Sequence, residues 1–328
     1  MNETILEIRD LSVHYADGPK AAKAVDGVSL SLRRGGVLAL VGESGCGKTS
    51  IALAVLGLLP YAGRAVRGSV CFGERDLLRL PDDELRLIRG RRISVIFQDP
   101  VAGLNPVLTI GEQVEEIIGA HLHAPKDEAR PMALDALRRV GLADPERLAR
   151  RYPYQLSGGM CQRVLIAIAT VLRPAVIIAD EPTSALDVTI QAGILSELEG
   201  LRRDQGVSVL LITHDLGVVA QMADEVAVMY AGRIVERGAT RDIFRTPRHP
   251  YTWSLLGTLP RVDQQRRRLT AIKGSPPDPT ELPEECAFTP RCRKALSLCR
   301  TSPSPALAEL APGQWAACYN PVTHPDED

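Results

Sequence analysis

Continuous apolar runs and strict alternations divide the first 260 residues of this chain into strands and helices. Residues 5 to 15 alternate well enough to predict a strand, and Val28 to Arg33 repeat that period of two. Val37-Leu-Ala-Leu-Val41 is instead an unbroken apolar run, the pattern of a strand covered on both faces. A glycine-rich turn follows it, then an apolar stretch from Thr49 to Leu59 that reads as a helix stopped by Pro60. Arg92 to Phe97 predicts another strand, breaking at Asp99-Pro100. From Ile110 to Leu172 the pattern is mostly helical. Two more buried-type strands, Val176 to Asp180 and Ser208 to Thr213, flank a helix over about Val188 to Gln205. Strands alternating with helices predict a mainly parallel α/β core, with the early alternating strands forming a small antiparallel layer.

After Leu259-Pro260 the texture changes. Gln264 to Arg268 is a solvated run, and Gly274-Ser-Pro-Pro-Asp-Pro279 is extended and linker-like. Ten of the 24 prolines and four of the seven cysteines lie beyond Lys273. A boundary is therefore expected near residue 260, and the proline-rich tail is expected to bury little apolar surface. Length agrees, since 328 residues amount to roughly two domains. Charge narrows the function. With 39 Lys+Arg against 40 Asp+Glu, the net charge of −1 argues against a dedicated nucleic-acid surface. The hydrophobic content of 45% excludes an acidic disordered chain. The N-terminus is too acidic for a secretory signal, and the longest uncharged stretch, Thr49 to Gly63, is too short to span a bilayer.

The chemistry begins at Gly42-Glu-Ser-Gly-Cys-Gly-Lys-Thr49, which fits G-x-x-x-x-G-K-[ST] between a buried strand and a helix. In such a loop the glycines let successive N–H groups converge on an anion, and the helix N-terminus adds partial positive charge. Lys48 would bridge the β- and γ-phosphates of a nucleotide and Thr49 would ligate Mg²⁺. The nucleotide-contacting set is Gly42, Ser44, Gly45, Cys46, Gly47, Lys48, Thr49 and Ser50. Beside the helix start, the Cys46 thiol is expected to have a lowered pKa. A carboxylate at a strand end supplies the second half of a P-loop site. Asp180 would hold Mg²⁺ through water and Glu181 would polarise the attacking water. These elements predict a nucleoside-triphosphate hydrolase.

Further motifs carry a resemblance. Leu156-Ser-Gly-Gly-Met160 is similar to the signature loop of ATP-binding cassette (ABC) ATPases. Gln98 resembles their Q-loop residue, Ser184-Ala-Leu-Asp187 their D-loop, and His214 their switch histidine. Tyr15 stands where that family stacks an aromatic ring on adenine, though it also suits edge packing. The resemblance implies a P-loop NTPase fold of ABC type over residues 1–260, with a helical subdomain inserted at about 99–172 and a C-terminal extension over 261–328. It further implies that two cassettes close head to tail, each ATP lying between one P-loop and the other chain's Ser157, Gly158 and Gly159. Asp187 would reach across that dimer, and Gln98 would sense Mg²⁺ and the attacking water. Glu181 would be the general base and His214 would contact the γ-phosphate. One departure is Met160-Cys-Gln-Arg163, where relatives usually carry Met-Arg-Gln-Arg; the loss of that Arg at Cys161 leaves Arg163 as the nearby cation.

Phe97 to Pro106, Thr109 to Gln113, Pro247-Arg-His-Pro-Tyr-Thr252 and Cys286-Ala-Phe-Thr-Pro-Arg-Cys292 resemble the ATPases of dipeptide, oligopeptide and nickel importers. That implies a second ATPase, two permeases, an extracytoplasmic solute-binding protein and a place on the inner face of the membrane. Nickel or another small solute, a non-transport ABC ATPase, and a regulatory module that holds ATP without turnover are the alternatives. Cys286, Cys292, Cys299 and Cys318 are four thiols in one tail. Thiolates can hold an iron–sulfur cluster or Zn²⁺. A 4Fe–4S cluster is favoured from the resemblance, with zinc and metal-free cysteines as alternatives.

Overall fold

The structure is a computed structural model and describes residues 3–16, 20–184, 188–258 and 272–323. The expected boundary near 260 and Asp187 lie outside the described residues. In chain order the strands are β1 (Thr4–Tyr15), β2 (Ala22–Arg33), β3 (Val37–Val41), β4 (Gly63–Phe72), β5 (Arg75–Asp76) and β6 (Ile93–Ile96). They continue as β7 (Val176–Asp180), β8 (Ser208–Thr213), β9 (Glu225–Tyr230), β10 (Arg233–Ala239), β11 (Ala308–Ala311) and β12 (Gln314–Ala316). The helices are α1 (Lys48–Leu56), α2 (Asp82–Ile88), α3 (Ile110–Leu122), α4 (Lys126–Arg139), α5 (Pro145–Leu148) and α6 (Gly158–Thr170). After them come α7 (Val188–Gln205), α8 (Leu216–Met222), α9 (Thr240–Arg245), α10 (Pro250–Leu256) and α11 (Leu298–Thr301).

These elements form two compact units. One comprises Met1–Ile5, Leu32–Gly36 and Arg79–Leu211. In it β6 and β7 run parallel, Ile93 opposite Val176 and Ile96 opposite Ala179. Every residue of β7 is buried, as the unbroken apolar run requires. Helices α3 to α6 follow β6. α3 opens with a capping box, Thr109 accepting from the Glu112 N–H and the Glu112 carboxylate accepting from the Thr109 N–H.

The other unit comprises Leu6–Ser31, Val37–Leu78 and Ile212–Asp328. Here the antiparallel layer runs in the order β2-β1-β4-β5, with a bulge in β1 between Arg9 and Ser12. A second set runs β11-β12-β10-β9-β3, in which only β3 and β9 are parallel. Its core joins Val41, Val226, Val228, Tyr230, Tyr251 and Phe288. Phe288 belongs to the proline-rich tail and is 1% exposed, so the tail contributes one large aromatic to this core. A ring of that size is a large apolar contribution for one residue.

Candidate functional site

In the second unit β3 is buried at all five positions and delivers Gly42 from its C-terminal end, the edge at which open α/β sheets bind ligands. The loop that follows is squeezed between two backbones. A Cβ on Gly42 would stand 2.2 Å from the Met229 carbonyl oxygen, and one on Gly47 would stand 2.0 Å from that of Ala24. Gly47 also holds φ at +107°, so no other residue fits there without moving β2. Beyond it α1 begins at Lys48. The Lys48 ammonium turns back into the loop, donating to the carbonyls of Gly42 at 2.8 Å and Glu43 at 3.1 Å, with Cys46 Sγ at 3.8 Å. Ser44, Gly45 and Thr49 are exposed. A cavity of about 270 Å³ opens beside Glu43, Ser44, Gly45, Cys46, Lys23 and Pro277.

Tyr15 donates its hydroxyl to Ser50 Oγ at 3.0 Å. Its ring lies so close to Gly63 that a Cβ there would be 2.6 Å from Cε1. His214 follows β8 and is exposed, while the next residue, Asp215, caps α8 by accepting from the Gly217 N–H at 2.8 Å. Cys46 differs from expectation. Its thiol is buried, and burial pushes its pKa up against the smaller downward pull of Lys48. Desolvation of a thiolate here outweighs the partial charge of the helix start, so Cys46 is not an activated thiol.

Two residues from the motifs at 247–252 and 286–292 reach this loop, a role that sequence reading did not assign them. Tyr251 receives the Glu43 N–H on its phenol oxygen at 2.9 Å, and Arg291 forks the Glu43 carboxylate at 2.7 and 2.9 Å. Glu43 and Arg291 are 248 positions apart, beyond the reach of any local pattern. The Pro247 to Thr252 motif does explain how Tyr251 arrives. His249 caps α10 by accepting from the Tyr251 N–H at 3.1 Å, and Pro250 takes the first helical position. Complete burial takes the His249 pKa down to about 3, so it remains neutral and able to accept.

In the first unit Gln98 and Glu181 each stand two residues beyond the last paired positions of adjacent parallel strands, Ile96 and Ala179. Gln98 is exposed and Asp180 is buried. Glu181 adopts φ of +50°, an uncommon conformation for a non-glycine residue, and its carbonyl accepts from both the N–H and the hydroxyl of Ser184 at 3.1 Å. Ser157 caps α6, its Oγ accepting from the Met160 N–H at 3.4 Å. Ser157 and Gly158 are exposed, whereas Gly159 packs so closely that a Cβ would lie 2.8 Å from Ile190 Cδ1.

The departure at Cys161 also resolves. Cys161 is buried, and Arg163 faces the unit's own interior: it donates to the Val140 carbonyl at 2.6 Å and pairs with Glu197. Arg163 is therefore committed to α7 rather than available to the signature loop. Burial raises the Glu197 pKa to about 7, against the lowering influence of Arg163. A carboxyl whose folded pKa exceeds its unfolded one stabilises fully below the unfolded value, and that contribution is lost as pH rises through the folded value. Glu197→Gln is thus expected to flatten the fall in Tm between about pH 4.5 and pH 7. Thermal melts of both proteins across that window check it; parallel curves would refute it.

Cys286, Cys292, Cys299 and Cys318 converge on one cavity of about 20 Å³, shared with His249 and Phe288. That is room for about one water. The structure corrects the expected iron–sulfur or zinc site. Among the described residues, which include all four thiols, no group of three or more His, Cys, Asp or Glu is placed to hold a metal ion. Burial raises the Cys292 pKa and pushes that of Cys318 up to about 12. Buried or half-buried, the four side chains line the cavity as small apolar groups.

Known proteins place this arrangement. A family model described as ABC transporter matches residues 25–184, and one described as Oligopeptide/dipeptide transporter, C-terminal region, matches residues 235–299. The dipeptide transport ATP-binding protein DppD of Bacillus subtilis (strain 168) is 48% identical over 298 residues, covering 90% of this chain and 89% of that protein. The oligopeptide transport ATP-binding protein OppD of Salmonella typhimurium is 44% identical over 318 residues, covering 97% and 94%. The chain belongs to the ABC transporter family. It is an ABC-type ATPase with a parallel-rich core and an antiparallel N-terminal sheet. Among solved structures, the ATP-binding cassette MJ0796, a post-hydrolysis dimer bound to ADP and Pi, superposes with a TM-score of 0.65. That cassette is 31% identical and covers 72% of this chain and 99% of its own. Among the described residues no helix of the cassette is long and apolar enough to cross a membrane.

Proposed function

We propose that this ATPase powers the import of dipeptides or oligopeptides. It would work from the cytoplasmic face of the membrane beneath two permease subunits, paired with a second, paralogous cassette and fed by an extracytoplasmic solute-binding protein. One observation carries the reading: similarity at 43–48% identity to peptide-transport ATP-binding proteins extends over 90–98% of the chain, tail included.

The site residues suit the task. The loop accepts no side chain at Gly42 or Gly47 and leaves open space at Gly45, a cradle shaped for phosphate oxygens. Lys48 leaves the carbonyls of Gly42 and Glu43 for the β- and γ-phosphates. Thr49 would hold Mg²⁺ through its hydroxyl and Asp180 would hold it through water; the ion would supply neutralisation of phosphate charge. Glu181 takes a proton from the attacking water, and His214 and Gln98 orient the γ-phosphate and that water. Ser157, Gly158 and Gly159 present N–H groups at the start of α6 to the ATP held by the partner cassette, with Asp187 reaching across. A triphosphate gripped from both sides holds the pair closed and its hydrolysis releases them, which gives the permeases a stroke.

The test is transport. The chain would be co-expressed with its neighbouring permease, cassette and binding-protein genes, and the purified complex reconstituted in liposomes. ATP enclosed on the cassette side is expected to drive uptake of labelled di- and tripeptides, and Lys48→Ala to abolish it. Uptake of Ni²⁺ but not peptide, or ATPase activity that no permease stimulates, would overturn the reading.

A further inference from the structure

Glu43 is the second residue of the Gly42–Thr49 loop, and each of its polar groups is held. Its N–H donates to Tyr251 at 2.9 Å, its carbonyl accepts from Lys48 at 3.1 Å, and its carboxylate accepts both terminal nitrogens of Arg291. The Arg291 side chain is only 6% exposed. Its Nε donates to the Lys273 carbonyl at 3.0 Å and Nη1 also reaches the Tyr230 hydroxyl at 3.2 Å. The guanidinium stands 5.8 Å from the Tyr230 ring centroid and 6.0 Å from that of Phe288. The fork to Glu43 holds Arg291 firmly in its charged form. A two-pronged ion pair this sheltered is strong and directional, and separating it would strand a buried charge.

The loop needs such a hold. Its glycines make the backbone permissive, and an anion nest works best when its N–H groups already converge before the anion arrives. The second problem is charge. A carboxylate in the loop would repel a triphosphate unless it were neutralised, and Arg291 is the cation that forks it. Arg291 comes from the C-terminal segment and Tyr251 from α10, so residues far down the chain set the loop.

We propose that Arg291, assisted by Tyr251, is a positioning residue for nucleotide binding: it locks the Glu43 peptide in place and cancels the Glu43 charge beside the incoming triphosphate. This rests on residues 42–49 being the phosphate-binding loop. Arg291 touches no phosphate; it acts through Glu43. The C-terminal segment is thereby part of the ATP site rather than an appendage.

Fluorescent mant-ATP titrated into the full-length chain with Mg²⁺ tests the idea, with folding followed by circular dichroism and thermal melting. Arg291→Gln is expected to weaken binding about tenfold, because the Glu43 charge is released. Arg291→Lys, which keeps charge but not the fork, is expected to lose about threefold, and Tyr251→Phe a similar factor. The decisive readout is the pair Glu43→Gln/Arg291→Gln, expected to recover most of the affinity lost in Arg291→Gln alone. In the ATPase assay KM for ATP should rise with Arg291→Gln while kcat stays within about twofold. A purely structural Arg291 would lower Tm in every variant and gain nothing from the second substitution. Folded Arg291→Gln and Tyr251→Phe proteins that bind mant-ATP as wild type does, or a double variant no better than Arg291→Gln, would overturn the proposal. Lys48→Ala is the control: if it too bound normally, the loop assignment would be the part at fault. Should Arg291→Gln not fold, Arg291→Lys and Tyr251→Phe decide, since both retain the bulk of the packed side chain.

Discussion

Glu181→Gln is expected to slow ATP hydrolysis by two orders of magnitude or more while ATP binding persists. The substitution keeps size and shape, so the turn that follows β7 should survive. That turn rests on the Glu181 carbonyl, which holds the N–H and hydroxyl of Ser184, and the change leaves it untouched. The lost feature is the basic carboxylate, and a positioned general base contributes about 10²- to 10⁴-fold to rate. An unusual backbone at this residue, φ +50°, fits a side chain aimed for chemistry at some conformational cost. With binding intact and hydrolysis blocked, the ATP-bound pair of cassettes should accumulate and elute early in gel filtration with ATP and Mg²⁺. Phosphate release measured at saturating ATP checks the rate. Turnover within about threefold of wild type would remove Glu181 from the chemistry and shift attention to His214.

Legibility differed between the two halves of the ATP machinery for physical reasons. Strands covered on both faces announce themselves: Val37–Val41, Val176–Asp180 and Ser208–Thr213 are buried at every position and are unbroken runs in sequence. The glycine-rich loop at 42–49 was equally plain, because close approach of β2 and β9 leaves only glycine at two of its positions. The strands β4, β5 and β9 to β12 were not foreseen. β4 carries Arg64 and Arg67 and exposes much of its length, so its apolar signal is diluted. β9 and β10 were findable. An apolar run, Val226 to Tyr230, meets a second strand across Ala231 and Gly232, both at positive φ, the signature of a tight hairpin.

Where reading by composition failed, a single local term had outweighed an average. The tail from Lys273 onward is rich in proline and cysteine, and that average hides Phe288. The four cysteines looked like ligands because composition registers thiols but not their placement; among the described residues no group of three or more is set to hold a metal ion. Proximity to a helix start suggested an activated Cys46, and desolvation reversed the sign. The Arg291–Glu43 pair lay beyond any sequence reading. Neither residue sits in a pattern that requires the other, and only the folded tail brings them together.

Phe288→Ala should therefore be the most destabilising change in the tail. The ring is fully enclosed, with centroids 5.3 Å from Tyr230, 5.3 Å from Tyr251 and 6.0 Å from His249. Removing a buried phenyl typically costs about 3–5 kcal/mol, transfer and cavity terms together. At roughly 2–4 °C per kcal/mol for a unit of this size, Tm should fall by about 6–20 °C. Phe288→Leu, which refills most of the volume, should lose less than half of that. Melts without nucleotide are the proper comparison, since ligand would stabilise the two proteins unequally. A loss under about 2 °C would mean that the tail merely lies on the second unit. A loss in the expected range would mean that the segment carrying Arg291 is held by core packing. That packing fixes the guanidinium firmly enough for its fork to hold Glu43 in register.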